Sequence, residues 1–163
     1  MHLATLPSPD AARFAVSKVR SATKGPFVIN YILRVPPASL RDALDAGAPA
    51  VQFSWGMPTK EMVSAIRAAG AKLGMQVTSA ESARVALDLG ADYLVCQGME
   101  AGGHVQASRG LYEALPAVLE EARRFRRHRQ WERNPQSAFG RCVGSDAWHT
   151  FHCNRREYCS SVL

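Results

Sequence analysis

The chain reads as an α/β protein built from repeated βα units, and three observations carry that reading. Short apolar runs alternate with amphipathic ones at a steady spacing between Phe27 and Glu121. The apolar runs are near-continuous rather than strictly alternating, as expected of parallel strands covered by helices. Three amphipathic runs end in glycine followed by alanine, at Gly47, Gly70 and Gly90, where a helix C-cap is expected. Two architectures satisfy the pattern: a doubly wound open sheet and a (β/α)8 barrel.

A helical pattern over 9–23 comes first, followed by a strand over 27–33 and a helix over 39–46. The next pair is a strand over 50–55 and a helix over 58–69. Pro58 suits the first turn of that helix, where its missing N–H costs nothing. Met62, Ile66 and Ala69 recur at helical spacing and predict one buried stripe. A strand over 72–78 follows. Thr78-Ser79-Ala80-Glu81 then has the capping-box pattern, which starts a helix over 79–89. The last pair is a strand over 92–97 and a helix over 112–121.

The chemistry concentrates where that last strand ends. Leu94-Val95-Cys96-Gln97 is a buried run that opens at Gly98 into a loop of little side-chain bulk. Glycine serves where backbone takes positive φ or must approach a ligand closely. His104 leaves this loop as the only histidine between His2 and His128. A histidine at the end of a parallel strand stands where α/β proteins place ligands and proton transfer.

The complete run Gln97-Gly98-Met99-Glu100-Ala101-Gly102-Gly103-His104 resembles the signature of nitronate monooxygenases. This is the FMN-dependent family formerly called 2-nitropropane dioxygenases. Pro26-Phe27-Val28-Ile29-Asn30-Tyr31 is similar to a second segment of the same family, and the likeness extends from about Ser8 to Glu121. FMN-dependent enoyl-ACP reductases carry a similar run with glutamate where Gln97 stands, so Gln97 favours the nitronate monooxygenases.

The resemblance implies a TIM barrel. Such a barrel takes roughly 250 residues, and only four βα units are counted here. The expectation is therefore a partial (β/α)8 barrel of parallel strands, truncated at the N-terminus. The strand that the family places before the first helix is expected to be missing. Residues 1–122 form this flavoenzyme domain, and 123–163 form an aberrant tail.

The resemblance also implies FMN as cofactor, with Asn30 and Gln97 offering amides to the flavin. Gly102 and Gly103 would bring backbone close to it, and His104 would be the catalytic base. Without the resemblance, Asn30 caps a turn, Gln97 faces solvent, the glycines form a tight turn, and Glu100 either organises the loop or is solvated. Met57, Met75 and Met99 read as core filler, and Trp55 as core packing rather than a ring beside the flavin. The implied substrates are alkyl nitronates or nitroalkanes and O2, giving a carbonyl compound and nitrite. A neutral nitroalkane must first lose its α-proton, a task suited to histidine with its ordinary pKa near 6.5. The alternatives are an enoyl-ACP reductase-like enzyme and an inactive remnant without flavin.

Composition breaks after Ala122. Residues 1–122 hold 11 basic and 11 acidic residues; 123–163 hold 9 arginines, no lysine and 3 acidic residues. The whole formal charge of +6 therefore lies in the tail. Arg123 to Trp131 reads as an arginine-rich arm for phosphates, or Cys142, His149, His152, Cys153 and Cys159 as zinc ligands. The metal reading lacks finger spacing, so no metal site is expected.

The favoured reading is translation out of frame. Sliding the frame by one base across Trp148 to Asn154 permits Gly-Thr-Arg-Phe-Ile-Ala-Thr, which resembles the family's last, phosphate-holding strand. On that reading the tail is out of frame or disordered and implies no specific nucleic-acid partner. Neither a signal-peptide pattern nor an apolar run of ~20 residues is present. With Cys96 the only cysteine before the tail, a reduced cytoplasmic protein is expected. Open sheet edges and missing phosphate strands would leave this chain folding poorly and holding FMN weakly.

Overall fold

A computed structural model describes residues 2–3, 8–128, 143–145 and 150–154. The chain divides into two compact units, Met1–Met75 and Gln76–Leu163.

The first unit contains β1 (His2–Leu3), α1 (Pro9–Ala22), β2 (Val28–Ile32), α2 (Leu40–Asp45), β3 (Ala50–Ser54) and α3 (Lys60–Ala68). It also contains most of β4 (Lys72–Val77). All pairings from β1 to β4 are parallel and sequential: His2 with Val28, Ile29 with Val51, and Val51 with Leu73. The fold class is parallel α/β. A two-residue strand, β1, precedes the first helix and pairs with β2, where the family's first strand was expected to be missing. A pair of residues is too short to show a strand periodicity in sequence.

Side-chain alternation sorts these strands into two unlike faces. Ile29, Tyr31, Val51, Phe53, Leu73 and Met75 alternate onto one face, all fully buried. Burying each of them contributes roughly 1.5–3 kcal/mol. The opposite face carries Asn30, Gln52 and Ser54. The polar residues of these two apolar runs, β2 and β3, therefore share one face, alongside Val28, Ile32 and Ala50.

Local signals explain the helix starts. Ser8 caps α1 by accepting the Ala11 N–H at 3.2 Å, with Pro9 as the first helical residue. In α3 the cap is Thr59, whose hydroxyl accepts the Met62 N–H, so Pro58 lies before the helix rather than in its first turn. Ile66 is fully buried on α3, but Ala69 is exposed and is not part of the stripe.

The helix ends repeat a single device. After α2, the Gly47 N–H bonds Leu44 O and the Ala48 N–H bonds Ala43 O. Gly70 and Ala71 do the same after α3, and in the second unit Gly90 and Ala91 follow suit after α4. These are Schellman closures, with the glycines at φ +87, +68 and +87°. The side chain of Arg20, in the last turn of α1, donates to Gly47 O at 2.7 Å.

The second unit contains α4 (Ala80–Asp88), β5 (Tyr93–Gln97), α5 (Leu111–His128), β6 (Val143–Ser145) and β7 (Thr150–Asn154). The capping box of α4 is one residue later than the sequence pattern suggests. Ser79 Oγ accepts the Ser82 N–H, and Ser82 Oγ accepts the Ser79 N–H. α5 runs through the composition break at 122 to His128. β7 pairs antiparallel with β5, Tyr93 opposite Asn154, and β6 pairs antiparallel with β7. The tail thus contributes two strands that its sequence does not announce. The arginine-rich arm beyond His128 and most of the cysteine and histidine set lie outside the described residues.

Replacing Ser79 with alanine removes both halves of the capping box and should cost about 1 kcal/mol. Amide hydrogen exchange within α4 should then rise roughly fivefold, while α5 is unchanged. Equal acceleration in both helices would show that the cap does not act locally.

Candidate functional site

In the first unit, the polar face of β2 and β3 is a hydrogen-bonded cluster. Strand register sets Asn30 beside Gln52 and Ile32 beside Ser54. Asn30 Nδ2 donates to Ser54 Oγ at 3.1 Å, and Asn30 Oδ1 accepts from Gln52 Nε2 at 3.2 Å. Asn30 thus bridges two strands, and a capped turn is not its role. Gln52 is 5% exposed, and its Oε1 has no hydrogen-bond partner. Flipping the amide would turn its oxygen toward Asn30 Oδ1, another acceptor, and orphan its nitrogen, so an unpaired atom remains either way. Leaving such an atom unpaired in a dry interior costs about 1–3 kcal/mol.

Above this cluster, at the C-terminal ends of the same strands, the Leu33 N–H bonds Ser54 O at 2.8 Å and draws two loops together. A Cβ on Gly56 would come within 2.9 Å of Leu33 Cβ, so only glycine fits that approach. Trp55 just before it takes φ +61°. The Arg34 guanidinium stands 4.8 Å over the Trp55 ring centroid. Trp55 is half-buried beneath a cation and is not a core side chain.

In the second unit, β5 delivers Gln97 into the base of the glycine loop. Gln97 is buried rather than solvent-facing. Its Oε1 accepts the Gln106 N–H at 2.8 Å, and its Nε2 donates to His104 O at 3.4 Å. Gln76 Nε2 also donates to Gln106 Oε1 at 3.4 Å. His104 is therefore held by its backbone while its side chain is exposed.

Glu100 closes the same loop from the other side. Its Oε2 accepts the N–H of Leu111, the first residue of α5, at 2.8 Å. A carboxylate is favoured there because helix N-terminal N–H groups lack partners and carry partial positive charge. A Cβ on Gly98 would overlap the Leu111 backbone and this carboxylate, and one on Gly110 would lie 2.8 Å from Glu100 Oε1. Those two glycines make the slot for Glu100. The Met99 N–H bonds Arg109 O at 3.0 Å across the loop neck. Of the two predicted backbone-approach glycines, Gly103 takes φ +78° with open space around its Cβ position; Gly102 is exposed.

Cys96 points away from Gln97 by strand alternation. Burial pushes its thiol up to about 11, so it stays protonated at neutral pH. Met75 is fully buried, as core filler should be, whereas Met57 and Met99 are 38% and 57% exposed. Among the described residues no group of three or more His, Cys, Asp or Glu could hold a metal. Among them, too, no helix is long and apolar enough to cross a membrane.

A parallel βα repeat whose strand end feeds a closed, glycine-lined histidine loop defines the class. Residues 38–123, just over half of the 163, match the family model described as nitronate monooxygenase. The chain belongs to the nitronate monooxygenase family. It is 38% identical over 77 residues to a nitronate monooxygenase of Pseudomonas aeruginosa, covering 47% of this chain and 21% of that protein. Its fold is similar to a nitroalkane oxidase from Streptomyces ansochromogenes, with TM-score 0.66 and 25% identity over 74% of this chain and 48% of the other. FabK from Thermotoga maritima gives TM-score 0.65 and 30% identity over 70% and 37% of the two chains. These likenesses place the repeat in the (β/α)8 barrel class. The chain spans about a fifth of the length of the curated nitronate monooxygenases it matches.

Gly98→Ala should break the Glu100 clamp and raise amide exchange over the first turn of α5 by more than about tenfold, a cost above roughly 1.4 kcal/mol. Gly103→Ala meets open space and pays only the left-handed backbone penalty of about 1–2 kcal/mol within the loop. It should leave the first turn of α5 unchanged. The reverse order would refute this assignment of the two glycines.

Proposed function

We propose that the protein oxidises alkyl nitronates with O2 to a carbonyl compound and nitrite, using FMN. The observation that carries this reading is the loop from Gln97 to His104, closed by its own Gln97 and Glu100, in a chain of the nitronate monooxygenase family. In the first unit, the donor set fits a flavin. The isoalloxazine edge alternates carbonyl oxygens with an N–H, and the Asn30 and Gln52 amides offer complementary groups. The orphaned Gln52 amide atom is the one that needs such a partner. Among the second-unit residues, the exposed, side-chain-free backbone at Gly102 and Gly103 supports close approach. Gln97 spends its amide on the loop and serves the cofactor by holding that backbone.

When bound, FMN supplies the electron acceptor that couples nitronate to oxygen. His104 is the proposed base. It takes the α-proton of a neutral nitroalkane, and an exposed imidazole on a fixed backbone can present a ring nitrogen to that carbon. A substrate that arrives as nitronate needs no such step. Small-molecule substrate and O2 are the proposed partners, and a cytoplasmic setting agrees with Cys96 being a free, buried thiol.

An enzyme restored to the length of its relatives should release nitrite from propane-2-nitronate with FMN and O2, without NAD(P)H. Turnover only with NAD(P)H and an enoyl thioester would move the assignment to the reductase branch. A restored protein that takes up no flavin would favour the inactive remnant.

His104→Ala in that enzyme should slow neutral nitroalkanes by about 10²–10⁴-fold, the range of a positioned base, and spare preformed nitronates. Equal losses on both substrates would make His104 a binding residue instead.

A further inference from the structure

We propose that Arg34, seated on Trp55, is the residue that recognises the anionic NO2 group and selects nitronate over neutral nitroalkane. The naming of nitronate rests on the function proposed above; the anion-recognising role of Arg34 rests on the first unit alone.

Four observations converge on it. Arg34 lies two residues after β2, and Trp55 directly after β3, at the C-terminal ends of two neighbouring parallel strands. That is the edge at which α/β folds bind ligands. The guanidinium stands 4.8 Å over the indole centroid, and a guanidinium held over an aromatic face still has a fork of N–H donors for an anion. Arg34 is exposed, and no carboxylate is paired with it among the described residues. Trp55 holds φ +61°, a conformation that costs a bulky residue energy and clusters at functional sites. A surface stack alone gives no reason to place that tryptophan in a left-handed backbone.

The chemistry of the anion fits the fork. A nitronate carries its negative charge over two oxygens on one planar nitrogen, the shape of a carboxylate. Guanidinium binds such pairs through two parallel N–H bonds. A neutral nitroalkane has the same two oxygens without the net charge, so the pair discriminates by charge. Apolar side chains flank the site in sequence and suit an alkyl substituent: Ile32, Val35 and Met57 are 37%, 53% and 38% exposed.

The test is calorimetric titration of the 163-residue chain, without flavin, with freshly ionised propane-2-nitronate, neutral 2-nitropropane, isobutyrate and inorganic phosphate. Nitronate should bind at least tenfold tighter than 2-nitropropane, and isobutyrate within a few-fold of nitronate. Arg34→Gln should remove that preference with an unchanged far-UV circular dichroism spectrum. Arg34→Lys, which keeps the charge but not the fork, should recover only part of it. Equal binding of nitronate and 2-nitropropane overturns the proposal, as do an undiminished preference in Arg34→Gln, phosphate binding as tightly as nitronate, and no binding at all. Nitrite release by the restored enzyme that is insensitive to Arg34→Gln sinks this inference and leaves the proposed function standing. Arg34-dependent anion binding in a restored protein that takes up no flavin does the opposite.

Discussion

The structure depends first on how each helix hands the chain back to a strand. Gly47-Ala48, Gly70-Ala71 and Gly90-Ala91 close three helices with the same pair of backbone bonds. The glycine reverses the chain in a left-handed conformation, and the alanine that follows is buried. The next strand then begins within two residues. A one-residue slip in a strand would turn its whole apolar face outward. The turn therefore fixes which residues are core and which are polar. Val51 and Leu73 join Ile29 on one face because of it, and Gln52 joins Asn30 on the other.

That polar face gives the first unit its chemistry. A sheet buried on both faces usually fills them with aliphatic side chains. Here β3 has every residue buried, two of them polar, and one polar atom has no partner. Unsatisfied polar groups are tolerated when something outside the chain completes them. The same strands end in a strained tryptophan under an arginine. Buried amide, bridging asparagine and rim cation thus follow one another along two strands, whereas the opposite face is uniformly apolar.

Sequence reading captured the elements because their signals are local. Periodicity, caps and Gly-Ala stops placed α1 to α4 and β2 to β5 within a residue or two. It misjudged features set by partners. Gln52 and Ser54 lie inside the run read as an apolar strand over 50–55, and their Gln-x-Ser spacing is a period-two signal. Their alignment with Asn30 needs the register between strands, which sequence does not carry. Arg34 and Trp55 lie 21 positions apart and meet only through that register. β7 was invisible because its pairing with β5 is antiparallel and distant in sequence. The loop from Gln97 to His104 was found as a motif, but the division of labour inside it was not.

Inside that loop, side chains that look available to a ligand turn out to serve the backbone. The Gln97 amide holds the His104 carbonyl and the Gln106 N–H, and the Glu100 carboxylate takes the helix N-terminus that an anion would otherwise occupy. An anionic group therefore finds no vacant helix end at Leu111. Gly98 and Gly110 are conformationally ordinary but sterically required, whereas Gly103 is sterically free and conformationally special. A loop built this way fixes the main chain of His104 while leaving its ring unspent on structure. That combination suits the base proposed at His104: moving the backbone would misplace it, and an internal partner for an imidazole base would compete for the proton to be taken.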